Sequence, residues 1–322
     1  MDRSNDDGND LAPADATLTP LDAARADLLH RLLASGRLLP TGVDGLYGRD
    51  QVFNSVLDGI DAALNLLAAP EAPIAATFPP MLPRVTFDQI GYLRKFADLA
   101  GPVFSFLGGP EEHKELLKRL DDGADYAPLL TQTDLTLTPA CCYPFYATSP
   151  KSIEDAGASY TTRGYCFRHE PSKDPMRLQM FEQREQIRVA APEEVQAWRN
   201  LWLERAAEFL SELGLDVTTD VASDPFFGRP GRLMKQHQLS QQLKIEFLVN
   251  VYGDDNRTAC SSLNYHQDHF GEIFGIRTPS GEIAHSSCIG FGLERIAVAL
   301  CNQHGVNPDR WGLKLRERLR LA

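Results

Sequence analysis

Two helices are predicted near the start of the chain. Leucines between residues 28 and 33 recur at the spacing of one helix face, which predicts a helix over Leu21–Leu39. A second helix is predicted over Gln51–Ala69, and Pro70 ends it because proline cannot continue a helix. The glycines of residues 40–48 predict a loop between the two helices.

The second half of the chain changes to the apolar alternation and turns that are typical of β-strands. Arg163–Glu170 and Arg177–Val189 are predicted to form two strands, joined by the turn-rich residues 171–176. Residues 244–252 predict a further strand, because Ile, Phe, Leu and Val dominate them and a glycine follows. Gly290–Cys301 is predicted to begin the last long helix, whose apolar residues indicate burial.

Residues 192–213 predict an amphipathic helix. Pro192 suits the first turn of a helix, and Gly214 suits its end. One face of the helix carries large apolar side chains, namely Trp198, Leu201, Trp202, Phe209 and Leu213. Two interpretations stay open. The helix packs this face on a sheet, or it forms a docking surface for a partner, with Arg199 and Arg205 on the outer side.

The length of 322 residues favours one large domain or one domain with an appendage. Residues 1–20 are rich in Asp, Asn, Ala and Pro and are expected to form a disordered tail. Residues 21–74 are expected to form helices that pack on the core. The main domain is expected over residues 75–322, with the helix at about 192–213 as an insertion.

The composition indicates an acidic globular protein, with 43% hydrophobic residues, 24% charged residues and a net charge of -12. Proteins that bind long polyanions usually carry a basic face, so this charge weighs against extensive nucleic-acid binding. Six cysteines are too sparse for a disulfide scaffold. An apolar signal core and an apolar run of roughly 20 residues are both missing, which predicts a cytoplasmic protein without a membrane segment.

Two arginines are candidates for binding a nucleoside triphosphate. Arg168 and Glu170 lie two residues apart in a predicted strand and would point to the same face. A guanidinium group binds phosphate oxygens with two parallel hydrogen bonds, and a carboxylate can accept from an adenine amino group. Arg295 follows two glycines at a predicted strand-to-helix junction, where the backbone can approach a ligand closely. The ordinary alternatives are an ion pair within the sheet and a solvent-exposed helix start.

The order of these motifs is more specific than either motif alone. Arg-x-Glu at Arg168, followed much later by Gly-x-Gly-x-Glu-Arg at Arg295, is the layout of a nucleotide-activating site on an antiparallel sheet. Phe181 would return beside Arg168 through the predicted hairpin and could stack on a purine. The alternative for Phe181 is an aromatic residue of the core.

Cys142, Glu185 and Cys288 are candidate ligands of a metal ion. Zinc binds thiolate, imidazole and carboxylate groups, and a catalytic zinc keeps one open position, which a substrate amine could fill. Cys141 is the rival of Cys142, because neighbours on a strand face opposite sides. Spacing alone favours ordinary buried cysteines, since there is no Cys-x-x-Cys pair. Further candidate ligands or hydrogen-bonding residues are His237, His266, His269 and His285.

These motifs resemble the catalytic domain of class II aminoacyl-tRNA synthetases. Phe167-Arg-His-Glu170 is similar to motif 2 of that class, and Gly290-Phe-Gly-Leu-Glu-Arg295 is similar to motif 3. Met180-Phe-Glu-Gln-Arg-Glu185 resembles a seryl-enzyme segment whose second glutamate meets the substrate amine. Pro139-Ala-Cys-Cys142 resembles the threonyl-enzyme segment Pro-Met-Asn-Cys, whose cysteine holds zinc. This alignment favours Cys142 over Cys141.

The combined Cys, Glu, Cys set resembles that of the atypical seryl-tRNA synthetases of methanogens and of their shortened relatives, the amino acid:[carrier protein] ligases. The resemblance covers roughly residues 75 to 315, including Asp224-Pro-Phe-Phe-Gly228. It implies an α+β fold with an antiparallel sheet flanked by helices. It also implies ATP-dependent activation of glycine, alanine or serine to an aminoacyl adenylate, followed by transfer to the phosphopantetheine thiol of a carrier protein.

The resemblance also implies roles for single residues. Arg168 and Arg295 would be catalytic. ATP would contact Arg168, Glu170, Arg177, Leu178, Phe181, Ala259, Cys260, Ser261, Ser262 and Arg295. The amino acid would contact Glu185, Lys235, Glu246 and Asn264. One zinc ion per subunit would bind Cys142, Glu185 and Cys288. Mg²⁺ would accompany ATP, although Thr258 stands where the seryl enzymes have a magnesium-binding glutamate.

The implied partners are ATP, a small amino acid, a phosphopantetheinylated carrier protein and a second copy of the chain. The homodimer contact is expected around Phe78–Phe96. The N-terminal segment of about 75 residues is too short for a long tRNA-binding coiled coil, which makes tRNA an improbable partner. The alternatives are a minimal aminoacyl-tRNA synthetase that charges tRNA and a non-catalytic synthetase paralogue. Retention of Arg168, Glu170 and Arg295 argues against the paralogue.

Overall fold

The computed structural model describes residues 18–154, 156–223, 238 and 241–321. The helices in these ranges are α1 (Pro20–Ala34), α2 (Gln51–Ala68), α3 (Arg84–Gln89), α4 (Tyr92–Lys95), α5 (Pro110–Asp121), α6 (Tyr143–Thr148), α7 (Pro192–Glu212), α8 (His269–Phe274), α9 (Leu293–His304) and α10 (Leu313–Arg318). The strands are β1 (Leu38–Val43), β2 (Leu46–Arg49), β3 (Ile74–Ala75), β4 (Met81–Pro83), β5 (Pro102–Ser105), β6 (Thr131–Leu137), β7 (Ala158–Phe167), β8 (Met180–Ala190), β9 (Val217–Ala222), β10 (Lys244–Val249), β11 (Thr258–Gln267) and β12 (His285–Gly292).

A seven-stranded sheet forms the centre of the fold, with the strand order β3-β7-β8-β12-β11-β10-β9. Its neighbouring strands are antiparallel, except that β3 and β7 are parallel. β7 and β8 form a long hairpin, in which Ala158 lies opposite Val189 and Phe167 lies opposite Met180. β12 lies between β8 and β11, so the end of the chain contributes directly to the centre of the sheet. The α+β architecture expected from the sequence is confirmed.

One face of the sheet is covered by α1, α2, α7, α9 and α10, whose apolar side chains form one core cluster with those of the strands. Trp202 and Phe209 of α7 each lie edge-on to Phe291 of β12, with ring centroids 6.3 Å apart in both pairs. The interpretation of α7 as a helix packed on the sheet is therefore confirmed for its tryptophan face. The domain boundaries stay a prediction, and the predicted tail over residues 1–20 lies mostly outside the described residues.

The opposite face of the sheet carries α3, α4, α6 and α8, together with the small sheet β4-β6-β5. A second apolar cluster fills the space between them. In this cluster Tyr146 of α6 stacks on Phe270 of α8, with ring centroids 4.2 Å apart. Among the described residues, this face is less completely covered than the helical face, because its helices are short. The open part of the sheet is therefore the surface on which a ligand site can form.

The segment Gln51–Glu71, which contains α2, is long and apolar enough to cross a membrane by length and composition alone, with a mean hydropathy of 1.3. In the fold, however, Phe53, Leu57 and Ile60 are buried in the core beneath the sheet. Asp61 accepts a hydrogen bond from Arg184 Nε at 2.6 Å. The buried apolar residues, together with the ion pair between Asp61 and Arg184 of β8, identify α2 as a helix of the protein core.

The loop predicted at residues 40–48 is wrong, because this segment forms the β1–β2 hairpin. Leu38 pairs with Arg49 and Val43 pairs with Leu46, which leaves Asp44 and Gly45 as the connection. An Asp-Gly pair is a strong signal for a two-residue hairpin turn, and Gly45 adopts a left-handed φ of 77°. The many glycines of the segment obscured this signal.

The predicted strand over Arg163–Glu170 ends early, at Phe167. Pro171 and Pro175 in the connecting loop have no N–H group, so the ladder between β7 and β8 cannot continue. Arg168 still donates its backbone N–H to Gln179 O at 2.9 Å, whereas the backbone N–H of Glu170 bonds Arg168 O at 2.7 Å and not a neighbouring strand. The expectation that Arg168 and Glu170 share one strand face is therefore wrong. The predicted helix over Gly290–Cys301 likewise begins later, at Leu293.

The packing of α2 against the C-terminal end of α10 predicts a sharp response to a single methyl group. A Cβ at Gly59 would lie 2.2 Å from the backbone oxygen of Leu319, so backbone must move. We expect Gly59→Ala to lower the free energy of unfolding by about 2 kcal/mol. Urea denaturation measures this change. Gly312→Ala is the control, because a Cβ there meets nothing within 4 Å. Equal stability of the two variants would contradict the predicted overlap.

Candidate active site

A cavity of about 600 Å³ lies on the open face of the seven-stranded sheet. Successive strand residues point to opposite faces, so alternate residues of β8 and β12 line the cavity. These are Phe181, Gln183 and Glu185 of β8 with Cys288, Gly290 and Gly292 of β12. β10 and β11 add Glu246, Ala259, Cys260, Ser261, Ser262 and Asn264, while Cys142, Arg168 and Arg295 enter from outside these strands. Most of the predicted site residues therefore line one cavity, and strand alternation accounts for those of β8 and β12.

Cys142, Glu185 and Cys288 form one cluster, in which their ligand atoms all lie within 4.8 Å of one another. Cys142 stands at the start of α6, and Glu185 and Cys288 project from the adjacent strands β8 and β12. The two sulfur atoms are 4.0 Å apart. Two thiolates bound to one tetrahedral zinc ion, at about 2.3 Å each, would lie roughly 3.8 Å apart. The cluster therefore has the spacing of a zinc site.

Glu185 is the carboxylate of this cluster and is buried. Burial raises the pKa of Glu185 to about 7, although a hydrogen bond from Cys142 and the charge of Arg168 act in the opposite direction. Within the described residues, Glu185 Oε2 has no hydrogen-bond partner. A buried carboxylate oxygen without a partner is costly unless a cation or donor meets it. Two thiols and this oxygen are a donor set that fits zinc.

Cys141 lies beside the cluster but belongs to a different pair. Its sulfur is 3.3 Å from the sulfur of Cys166 and 3.3 Å from the backbone oxygen of Gly164. The hydrogen bond with Cys166 and burial raise the pKa of the Cys141 thiol. The structure thus places Cys142, and not Cys141, in the three-residue cluster.

His266 is the histidine that lies against the cluster, with Nε2 3.8 Å from the sulfur of Cys288. Its other nitrogen, Nδ1, is 3.3 Å from the hydroxyl of Tyr146 and 3.2 Å from the hydroxyl of Ser286. The imidazole also meets Phe270 edge-on. The sequence named His266 only among several possible ligands, because its partners come from three separate segments. His237 lies outside the described residues.

Arg295 and Arg168 line the same cavity as the cluster. Arg295 is half-buried at the start of α9 and donates to Met176 O at 2.7 Å and to Ala259 O at 2.8 Å. Its burial lowers the pKa of the guanidinium. Arg168 lies over the ring of Phe181, 5.4 Å from its centroid. Two cationic groups and an aromatic ring are suited to phosphates and a purine.

Gly290 lies on β12, two residues after Cys288 and five residues before Arg295. A Cβ at this position would come within 3.3 Å of Gln183 Nε2 and of Glu185 Oε1. Only a glycine therefore keeps the polar ends of these two cavity residues undisturbed. The glycine motif that suggested close backbone approach to a ligand thus also creates space beside the cluster of Cys142, Glu185 and Cys288.

Some predicted contacts do not line the cavity. Arg177 is half exposed and lies 4.0 Å from Glu170, at the edge of the connecting loop. Leu178 is buried next to that loop. Their roles in binding ATP stay predictions. Glu246 does line the cavity and forms an ion pair of 2.9 Å with Lys244, and its role in binding the amino acid also stays a prediction. Lys235 lies outside the described residues.

The prediction that the outer side of α7 presents the positive charge of Arg199 and Arg205 to a partner is wrong. Arg205 pairs with Glu71 and lies over the ring of Trp202, and Arg199 donates to the backbone oxygen of Gln242. The exposed positions of α7 include Glu193, Glu194, Glu204, Glu208 and Glu212. An acidic helix of a partner would meet like charge here. Sequence periodicity placed the arginines outward, but long side chains reach neighbouring segments.

None of the protein-family models matches the chain. Among solved structures, the seryl-tRNA synthetase of Methanopyrus kandleri, in complex with a tRNASec of A. aeolicus, has a TM-score of 0.78 at 23% identity. The match covers 92% of this chain and 60% of that chain. The serine-tRNA ligase of Naegleria fowleri has a TM-score of 0.67 at 13% identity, over 92% and 66% of the two chains. The fold is that of the class II aminoacyl-tRNA synthetase catalytic core.

Curated relatives identify the family within this class. The amino acid--[acyl-carrier-protein] ligases 1 and 2 of Bradyrhizobium diazoefficiens are each 38% identical to this chain, over 97% of the chain and over 93% and 92% of those proteins. The chain therefore belongs to the amino acid--[acyl-carrier-protein] ligase family and is an enzyme. The type-2 serine--tRNA ligase of Methanopyrus kandleri is 26% identical over 76% of the chain, which spans only 50% of that relative.

Proposed function

We propose that this protein activates a small amino acid with ATP and transfers the aminoacyl group to the phosphopantetheine thiol of a carrier protein. The family supports a ligase of this kind. The observation that carries the proposal is the meeting of two arginines and a Cys, Glu, Cys cluster in one cavity. The arginines suit the phosphates of ATP, and the cluster suits the amino group of the second substrate.

In the proposed first step, a carboxylate oxygen of the amino acid attacks the α-phosphorus of ATP. The new oxygen–phosphorus bond forms as the bond to the β-phosphate breaks, and pyrophosphate leaves with the electron pair. Arg168 and Arg295 bind the phosphate oxygens and stabilise the charge that they gain. Phe181 stacks on the adenine, and Mg²⁺ accompanies the phosphates as their counter-ion.

Cys142, Glu185 and Cys288 would hold one zinc ion, which supplies a Lewis-acid position for the α-amino group when it is bound. The pairing of β8 with β12 fixes the separation of Glu185 and Cys288, and the start of α6 adds Cys142. Anchoring the amino group orients the carboxylate toward the arginines. Asn264, which pairs with Cys288 across β11 and β12, is the proposed polar contact for the remainder of the amino acid.

Large groups around the cluster support a small side chain on the substrate. Tyr143, His266 and Phe270 line the cavity near Cys142 and Cys288. Phe270 is itself held by the stacked ring of Tyr146. Rigidly packed aromatic rings cannot withdraw without a packing cost. Glycine, alanine and serine are therefore the proposed substrates.

In the proposed second step, the thiol sulfur of the carrier's phosphopantetheine attacks the carbonyl carbon of the adenylate. The carbon–sulfur bond forms, the bond to the phosphate oxygen breaks, AMP leaves with the electron pair, and the thiol proton passes to solvent.

The protein acts as a homodimer in this proposal, which exposed apolar side chains on residues 81–135 support. These are Met81, Val85, Leu93, Phe104 and Leu135.

Six free cysteines support a reducing, cytoplasmic location.

Transfer of labelled amino acid tests the proposed function. Radioactive glycine, alanine or serine is incubated with ATP and the protein, with bulk tRNA in one reaction and a phosphopantetheinylated carrier protein in another. We expect acid-precipitable label on the carrier alone, in a form released by hydroxylamine at neutral pH as a thioester would be.

A matched reaction with the carrier lacking phosphopantetheine is the control, because it offers the same protein surface without the thiol. Label on tRNA would contradict the proposal and favour a minimal aminoacyl-tRNA synthetase. Absence of both products, together with no amino-acid-dependent ATP–pyrophosphate exchange, would favour a non-catalytic paralogue.

A further inference from the structure

The β1–β2 hairpin contacts the segment that holds Arg168. Gln179, at the end of the loop between β7 and β8, donates its backbone N–H to Gly45 O at 2.8 Å. The side-chain Nε2 of Gln179 also donates to Asp44 O at 2.8 Å. The carbonyl of Gln179 in turn accepts the backbone N–H of Arg168 at 2.9 Å. The tip of the hairpin therefore fixes the residue that pairs with Arg168.

The base of the same hairpin contacts the segment that holds Arg295. Arg49 donates from Nη1 to Glu294 Oε1 at 2.6 Å and from Nη2 to Glu182 Oε1 at 2.7 Å. The two oxygens of Glu294 also accept the backbone N–H of Glu182, at 3.0 and 2.9 Å. The Arg49 side chain is 14% exposed, so these charged hydrogen bonds are largely shielded from water. They join β8 to α9 one residue before Arg295.

Contacts with Arg25, Tyr252 and Arg295 also hold the loop between β7 and β8. Asp174 in this loop forms an ion pair of 3.1 Å with Arg25 of α1 and accepts the hydroxyl of Tyr252 at 2.6 Å. Arg295 donates to Met176 O in the same loop at 2.7 Å. The loop is therefore held between the N-terminal segment on one side and Arg295 on the other.

We propose that the β1–β2 hairpin is a positioning element for ATP, which holds Arg168 through its tip and Arg295 through Arg49. This inference rests on the proposed function, because it takes both arginines to bind the phosphates. Fixed charges stabilise a transition state only if they are in place before it forms. A displacement of about 1 Å can lower a rate by about 100-fold. The hairpin acts through other residues and does not itself touch the substrate.

Gly45 and Gly42 offer a matched pair of substitutions in this hairpin. Both have a left-handed φ, of 77° and 88°, so alanine strains the backbone at both positions. A Cβ at Gly45 would lie 3.2 Å from Gln179 Cγ and 3.3 Å from Arg177 O. A Cβ at Gly42 meets nothing within 4 Å. The difference between the two variants therefore isolates the contact with the loop.

ATP–pyrophosphate exchange of the full-length protein is the first measurement. We expect Gly45→Ala to raise the KM for ATP about tenfold relative to Gly42→Ala. The zinc content and the KM for the amino acid should match in the two variants, because other elements position the cluster. The same KM for ATP in both variants would overturn the inference.

Arg49 gives a second comparison, at the base of the hairpin. We expect Arg49→Met to raise the KM for ATP about tenfold or more, and Arg49→Lys to restore part of the loss. Lysine keeps the charge but cannot bridge two carboxylates with a planar fork. Arg37, which pairs with Asp50 beside the same hairpin, is the control. An equal rise of the KM for ATP in Arg37→Met would contradict a specific role for Arg49.

Hydrogen exchange of the unliganded protein tests the hairpin independently of catalysis. We expect amides in residues 172–179 to exchange about tenfold faster in Gly45→Ala than in Gly42→Ala, because the loop loses its support. Equal exchange would overturn the inference. A wild-type protein without pyrophosphate exchange would refute the proposed function instead, while this comparison would still decide whether the hairpin holds the loop.

Discussion

Arg168→Ala should lower amino-acid-dependent ATP–pyrophosphate exchange by about 10³-fold, which corresponds to about 4 kcal/mol of transition-state stabilisation. The guanidinium lies in the cavity over Phe181, where it can meet the phosphates of a bound nucleotide. The side chain is only partly buried, and the backbone N–H of Arg168 keeps its bond to Gln179 O after truncation, so the fold should stay intact. Exchange kinetics and thermal unfolding, measured on the same preparation, separate these two effects.

Two further variants, Arg168→Lys and Arg188→Ala, test whether the loss of exchange activity comes from the guanidinium group of Arg168 in the cavity. Lysine keeps the positive charge but not the bidentate geometry, so Arg168→Lys should lose less activity than Arg168→Ala. Arg188 lies on β8 outside the cavity, where it bonds Ser159 and Glu194. Arg188→Ala should therefore keep near-normal exchange. Exchange within a factor of about three of wild type in Arg168→Ala would refute the proposed catalytic role.

Most of the site residues that the sequence predicted meet in one cavity, although several of the predicted elements around them were wrong, and part of the reason lies in the strand period. Glu185 and Cys288 belong to strands whose alternate residues face one side, so a correct strand assignment already places them together once β8 and β12 are paired. That pairing is a long-range property which local pattern does not contain. The resemblance to class II synthetases supplied it, and the confirmed fold depends on that likeness.

Other features could not be read from local pattern. Asp44-Gly45 carries a hairpin signal, but nothing in the sequence shows that its carbonyl groups meet Gln179. Arg199 and Arg205 fall outside the apolar face of α7, yet their long side chains bend to Gln242 and Glu71. Burial of such charges depends on which segments the fold brings near them. Tertiary contacts of this kind follow from topology and not from periodicity.

Cys288→Ala should lower the affinity for zinc by more than about 100-fold and raise the KM for the amino acid in parallel. In the proposed zinc site, Cys288 would provide one of two sulfur ligands, 4.0 Å from the sulfur of Cys142. Without it, the remaining thiol and Glu185 form a two-ligand site that binds zinc weakly. Titration with a competing chelator measures the affinity, and pyrophosphate exchange at varied amino acid measures the KM.

Cys301→Ala is the matched control, because Cys301 is an equally buried free thiol on α9 that belongs to the apolar core. This variant should lose some stability through the small cavity that it leaves, with zinc affinity unchanged. The two readouts of Cys288→Ala should move together, since the proposed zinc ion anchors the amino group that orients the carboxylate for attack. Unchanged zinc affinity in Cys288→Ala would remove Cys288 from the metal site. Weaker zinc binding with an unchanged KM for the amino acid would leave the metal a structural role and refute its contact with the substrate.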